Sequence, residues 1–169
     1  VDMNAPNGAA GKLLIDPTDI TITDSEPDTN VTIGPDYVPS GAHNSATISL
    51  NSLNASLVTS DVTITTQSAG SGAGDIIIEL TAGSRIFSEA HGLTLNADRD
   101  ILLLEGGIEL TNGILALNAG ISDAVGSVFL DRHVTAGAVS VNAAGDVAVM
   151  DVTATAGDLA MTAGSGFLE

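Results

Sequence analysis

One five-residue phrase, aliphatic-x-aliphatic-[Asn/Thr]-Ala, recurs five times in the second half of the chain and narrows the folds open to it. It reads Ile78-Glu79-Leu80-Thr81-Ala82, Leu93-Thr94-Leu95-Asn96-Ala97, Leu115-Ala116-Leu117-Asn118-Ala119, Val139-Ser140-Val141-Asn142-Ala143 and Leu159-Ala160-Met161-Thr162-Ala163, with starts 15, 22, 24 and 20 residues apart. Further short alternating runs lie between these phrases, each introduced by Gly, Asp or Ser: Asp100-Ile101-Leu102-Leu103-Leu104, Gly107-Ile108-Glu109-Leu110-Thr111, Ser127-Val128-Phe129-Leu130 and Asp146-Val147-Ala148-Val149-Met150. Alternation bounded by turn residues reads as strand. A strand this short cannot bury its inward row alone, so consecutive repeats must stack and enclose a shared aliphatic core.

The expected fold is therefore all-β, a parallel β-helix (solenoid) of about 20 residues per coil. About 8 such coils stacked at ~4.8 Å would make a rod about 40 Å long. The inward rows expected to hold it together are Ile78, Leu80, Leu93, Leu95, Ile101, Leu103, Leu115, Leu117, Val128, Leu130, Val139, Val141, Val147, Val149, Leu159 and Met161. Asn96, Asn118 and Asn142 occupy the same place in successive phrases, where stacking would let their amides bond along the axis as a structural ladder. The plainer alternative is that Asn favours turns.

The first half is less regular. Residues 1–72 read as decorated coils with a polar loop, continuous with regular repeats over residues 73–169. Leu13-Leu14-Ile15-Asp16-Pro17 and Ile20-Thr21-Ile22-Thr23 are alternating strands around a Pro turn. Asp24-Ser25-Glu26-Pro27-Asp28-Thr29-Asn30, followed by Pro35, Pro39 and Gly41, marks a surface loop. Leucines 50, 53 and 57 fit a turn or two of helix as well as a strand. Val62-Thr63-Ile64-Thr65-Thr66 is a strand, and residues 70–74 form a Gly/Ser/Ala turn.

Composition excludes several classes. Four Lys+Arg against 21 Asp+Glu give a formal net charge of −17, a field that repels phosphate backbones and anionic membrane surfaces, so nucleic acid is not a partner. With one Tyr, three Phe and no Trp there is no aromatic platform for stacking bases or sugars. No strictly apolar run exceeds four residues, against the roughly 20 of a membrane-spanning helix. Cysteine is absent, which removes disulfides and thiolate chemistry and leaves the redox compartment undecided. The start at Val1, without a signal-peptide pattern, reads as an excised or mature segment.

The wording of the first half is similar to a known family. Gly11-Lys12-Leu13-Leu14-Ile15-Asp16-Pro17-Thr18-Asp19-Ile20-Thr21-Ile22, then Asp61-Val62-Thr63-Ile64-Thr65-Thr66 with Gly70-Ser71-Gly72-Ala73-Gly74-Asp75-Ile76, then the repeated Leu-Thr-Leu-Asn-Ala units, resemble filamentous haemagglutinin-type exoproteins of Gram-negative bacteria, adhesins exported by two-partner secretion. The resemblance covers residues 8 to 163. It implies a right-handed coil, an outer-membrane transporter as partner during export, and a place on the bacterial cell surface. It also implies contact, through a larger parent protein, with host or neighbouring-cell surfaces or matrix polysaccharide. That family's amino-terminal secretion domain is not recognised, so the segment is expected to come from the shaft. Alternatives of the same shape are the stalk of a contact-dependent toxin-delivery exoprotein and a fibre subunit associating end to end.

No enzyme activity and no cofactor are expected. Asp24, Glu26 and Asp28 alternate as calcium ligands often do, yet the sixth position lacks Gly and the twelfth lacks an acid, so a solvated acidic loop competes with a calcium site. Asp131 and His133 would share a face, with Ser127 the nearest hydroxyl; a surface turn is the competing account. Asp98 with Asp100, or Glu105 with Glu109, would suit a polysaccharide-cleaving β-helix only beside sugar-positioning groups, and Arg99 and Arg132 are the sole candidates. His43 and His91 sit in Gly/Ala/Ser-rich turns and read as loop residues. Asn30-Val31-Thr32 and Asn54-Ala55-Ser56 match the glycosylation sequon, a frequent chance match.

Overall fold

A computed structural model describes residues 18–25, 27–66, 72–122 and 125–168. The chain is a parallel β-solenoid of about 6 turns, roughly 24 residues each. Its strands pair in three columns, which form three faces. The first carries β1 (Asp19–Thr23), β5 (Ile76–Glu79), β8 (Ile101–Glu105), the openings of β10 (Val128–Ala143) and β11 (Asp146–Ala154), and β13 (Gly166–Leu168). On the second stand β6 (Arg85–Ser88), the start of β9 (Gly107–Ala119), the middle of β10 and the end of β11. The third stacks β4 (Val62–Thr65), β7 (Leu93–Ala97), the ends of β9 and β10, and β12 (Leu159–Ala163).

The repeating phrase explains why the coil is longer than 20 residues. Four of its copies lie on the third face in strict register, Leu93↔Leu115↔Val139↔Leu159, advancing 22, 24 and 20 residues. The copy at Ile78 stands on the first face and pairs with Leu103. The 15-residue spacing is thus a step from one face to another within a coil, and counting it as a coil shortened the repeat. Six turns at ~4.8 Å make a rod about 30 Å long rather than 40.

The core is aliphatic because alternate residues of every face turn inward. Of the expected rows, Ile78, Leu80, Leu93, Leu95, Ile101, Leu103, Leu115, Leu117, Val128, Leu130, Val139, Val141 and Val147 are buried. Val149 and Met161 are half-buried, and Leu159 is 49% exposed, because among the described residues only β13 stacks beyond their coil, and it reaches no farther than the Ala148↔Leu168 pair. The second face adds a row outside the expectation: Ile86, Ile108, Leu110 and Val134. Gly113 marks where coils approach too closely for a side chain, since a Cβ there would lie 2.0 Å from the His91 carbonyl oxygen.

The residues between β1 and β4 close one end of the rod. The expected surface loop leads into β2 (Asp36–Tyr37), β3 (Ser45–Ser49) and α1 (Leu50–Leu57), and each covers a different face. β3 pairs with the outer edge of β1, and β2 with that of β4. An antiparallel bridge Thr29↔Thr47 then covers part of β3, and a second, Val31↔Pro39, lies just past β2. α1 takes the second face, burying Leu53 and Leu57. A helix has no free ladder groups to offer a sheet, and Asn54 supplies them instead: its Nδ2 donates to the Arg85 carbonyl (3.2 Å) and its Oδ1 accepts from the Phe87 N–H (3.0 Å). One side-chain amide thus replaces the peptide that a further strand would present to β6. Tyr37, fully buried, ties β2 to the helix through its hydroxyl, which meets Ser56 Oγ at 2.8 Å and donates to the Ser52 carbonyl at 3.0 Å.

Two changes test this account. Leu95→Asp or Leu117→Asp places an unpaired carboxylate where the side chain has no exposure, and cooperative melting should be lost over several coils. A variant that kept the parent melting temperature would show the inward face to be misassigned. Asn54→Leu removes both bonds to β6 and should cost about 1–3 kcal/mol, read as a lower urea midpoint.

Candidate functional site

Polar side chains are organised along the axis. On the third face Asn142 Nδ2 donates to Asn118 Oδ1 (3.2 Å), Asn118 Nδ2 to Asn96 Oδ1 (2.9 Å), and Asn96 Nδ2 to Thr65 Oγ1 (3.4 Å). The amides are neighbours because their strands are paired in register, Asn96↔Asn118↔Asn142. Asn142 gives, and Asn118 and Asn96 each receive from one coil and give to the next, so the row has one sense from coil to coil.

A second axial row runs along the corner before the first face. Asp19 Oδ1 accepts from the Gly74 and Asp75 N–H groups (2.8 and 3.1 Å), Asp75 Oδ1 from Asp100 N–H (3.1 Å), Asp100 Oδ1 from Ser127 N–H (2.8 Å), and Ser127 Oγ from Asp146 N–H (3.0 Å). Each side chain captures the backbone of the next coil as it enters its strand. Asp61 repeats the device before the third face, accepting from Gly92 N–H at 2.7 Å. Stacking carboxylates one strand apart is repulsive, and Arg99 offsets part of it: its guanidinium grips both oxygens of the nearly buried Asp75 and lies 3.4 Å from Asp100. Sequence reasoning missed Asp19, Asp61 and Asp75 in this role. The signal was present as Asp directly before an aliphatic-x-aliphatic run, in Asp19-Ile20, Asp61-Val62, Asp75-Ile76, Asp100-Ile101 and Asp146-Val147.

The calcium candidates are placed apart in function. Asp24 Oδ2 accepts from Thr81 N–H at 2.5 Å, and that bond holds its carboxyl below the ordinary value of 3.8. Asp28 sits at the N-terminus of α1, accepting from Ser49 N–H and Ser52 Oγ, both at 2.6 Å, while the N-cap Ser49 Oγ accepts from Ser52 N–H at 3.2 Å. Glu26 lies outside the described residues. Among the described residues no three His, Cys, Asp or Glu side chains gather as metal ligands would.

His133 lies within continuous strand, not in a turn, and its partners differ from those its spacing suggests. Its Nδ1 meets Asp151 Oδ2 at 2.7 Å and its Nε2 meets Thr135 Oγ1 at 2.8 Å. Asp131 pairs with Arg132 instead, and Ser127 is engaged in the corner row. The order hydroxyl, imidazole, carboxylate is that of a nucleophilic relay. His133 and Asp151 are each about 60% exposed, so water competes for every contact.

The paired acids are held by separate partners. Asp98 accepts from Ser122 Oγ at 2.5 Å while Asp100 serves the corner row. Glu105 is held by Arg132 at 2.7 Å, which lowers its carboxyl pKa, and Glu109 by Arg85 at 2.9 Å. His91 stands 3.6 Å from Asp61, and the His43 carbonyl accepts from Thr18 Oγ1 at 2.5 Å. Of the sequon asparagines, Asn30 adopts a left-handed φ of 54° and donates to the Ser45 carbonyl at 3.0 Å, and Asn54 is bound to β6.

Asn118→Leu breaks the amide row in its middle and should lower stability by about 1–2 kcal/mol, measured by chemical denaturation. Because the Asp24 carboxyl titrates lower when folded than when unfolded, its contribution is complete above pH 3.8 and is lost as pH falls through the folded value. Asp24→Asn should therefore destabilise at neutral pH and converge on the parent protein in acid; parallel stability curves would contradict that bond.

No protein-family model, curated protein or solved structure matches this chain, so its function is read from its own residues.

Proposed function

We propose that the chain is a structural shaft segment of a secreted bacterial surface adhesin, spacing or presenting a binding region for attachment. The observation that supports this most directly is where the polar chemistry goes. The amides of Asn96, Asn118 and Asn142 and the corner side chains Asp19, Asp75, Asp100 and Ser127 are spent on neighbouring coils. Side chains used this way resist sliding and separation along the axis, which is what a spacer requires. The resemblance of residues 8 to 163 to haemagglutinin-type exoproteins supplies the surface location, and export through an outer-membrane transporter follows from the same reading. A toxin-delivery stalk would use the same shaft.

The test is replacement within the full-length protein. Exchanging residues 76–163 for an unrelated β-solenoid of equal length should preserve surface display and cell attachment, whereas deleting them should reduce attachment with display intact. Loss of attachment on equal-length exchange would mean that this segment itself binds, and the spacer reading would fail.

A further inference from the structure

We propose that the outer side of the first face is a docking surface for a basic amphipathic helix of another protein. Strand alternation turns Ile77, Leu102, Phe129, Ala148 and Leu168 away from the core, and pairing sets them in register, one per coil. Leu104 and Met150 stand beside the row, 42% and 76% exposed. The outward positions of the other faces are mixed or small: Phe87, Glu109, Thr135 and Thr153 on the second, where Arg85 lies over the Phe87 ring, and Thr94, Ala116, Ser140 and Ala160 on the third. Apolar residues thus line one outer face of a strongly acidic chain. Folding does not require them there, because the inward row already fills the core. Ile77, Leu102, Phe129 and Ala148 are half-buried among their registered neighbours and run into the exposed Leu104, Met150 and Leu168, and a contiguous apolar strip on an outer face marks an interaction site.

Charge selects the occupant. Glu79, Glu105 and Asp131 follow the row on one side, Asp100 and Asp146 precede it on the other, and Arg99 and Arg132 are the nearby cations. A second copy would bring two such acidic rims together within a net charge of −17 each. A segment with Lys or Arg flanking an aliphatic stripe meets the strip and both rims at once. Five strands at ~4.8 Å span about 19 Å, the length of about 13 helical residues, so apolar side chains at helical spacing can follow the row. Near its C-terminal end Phe129, Ala148, Met150 and Leu168 help to line a depression of about 340 Å³, large enough to receive one anchoring side chain. The surface is independent of the shaft role.

The probe is a fluorescent 14-residue helix-forming peptide with Leu at i, i+3, i+4, i+7 positions and Lys elsewhere, titrated by anisotropy against the 169-residue chain. It should bind, and affinity should fall at least tenfold for Leu102→Ser with Phe129→Ser and for Glu79→Lys with Asp131→Lys, with melting temperatures unchanged. A Ser/Lys peptide of equal charge should also bind at least tenfold more weakly. If the first double variant melts early, Met150→Ser, at a position already open to solvent, should still weaken the Leu/Lys peptide. Equal affinity for Leu102→Ser with Phe129→Ser, or for the Ser/Lys peptide, would overturn the proposal by reducing the attraction to charge alone, and equal affinity for Glu79→Lys with Asp131→Lys would overturn it by removing charge as the selector. A concentration-dependent dimer abolished by Leu102→Ser with Phe129→Ser would overturn it in favour of self-association. Row-dependent binding to phosphatidylcholine vesicles without peptide binding would overturn it in favour of lipid.

Discussion

Every strand here has two edges, and an unpaired edge both wastes hydrogen bonds and invites aggregation. Parallel stacking solves this for the interior coils at once, because each coil is both the partner of the previous one and the template for the next. The difficulty is thereby moved to the ends. At one end the chain spends the stretch between β1 and β4 on β2, β3 and α1, a separate device for each face. Asn54 shows how local the solution can be, since a single amide supplies the donor and acceptor that β6 would otherwise lack.

The axial rows follow from the same constraint. Registered strands place equivalent side chains about one strand spacing apart, which is favourable for amides and unfavourable for like charges. The third face uses the favourable case. The corner before the first face carries carboxylates in register and escapes most of the penalty by aiming each at a backbone N–H of the following coil, with Arg99 clasping Asp75. Acidity and cohesion are therefore compatible in this chain: several of its charges are structural acceptors as well as charges.

Much of the fold was legible before any coordinates because two periodicities coincide on the third face, alternation within a strand and recurrence of Asn-Ala at its end. The second face was harder to read. Its runs, such as Ile86-Phe87-Ser88 and Val134-Thr135-Ala136, share no closing phrase; the first face was read by its inward rows, except that the Ile78 phrase imitates the third face while standing on the first. The cap was illegible for a physical reason: its Pro-punctuated residues have the composition of a loop, and what makes them a cover is pairing with strands nearer and farther along the chain. Leu53 and Leu57 were ambiguous because two leucines four residues apart fit either periodicity until tertiary packing chooses. His133 was assigned its neighbours in sequence, whereas a solenoid gives it a neighbour one coil away.

Coil length is not constant, and the variation is confined to the corners. Ile76, Ile101, Val128 and Val147 succeed one another on the first face after 25, 27 and 19 residues, yet their pairing is unbroken. Register is thus set by the flat segments, and the connections between them absorb surplus length. Such an architecture tolerates insertion and deletion at its vertices without reshuffling its interior, so new loops can be grafted onto the perimeter while the stacked frame keeps its pitch.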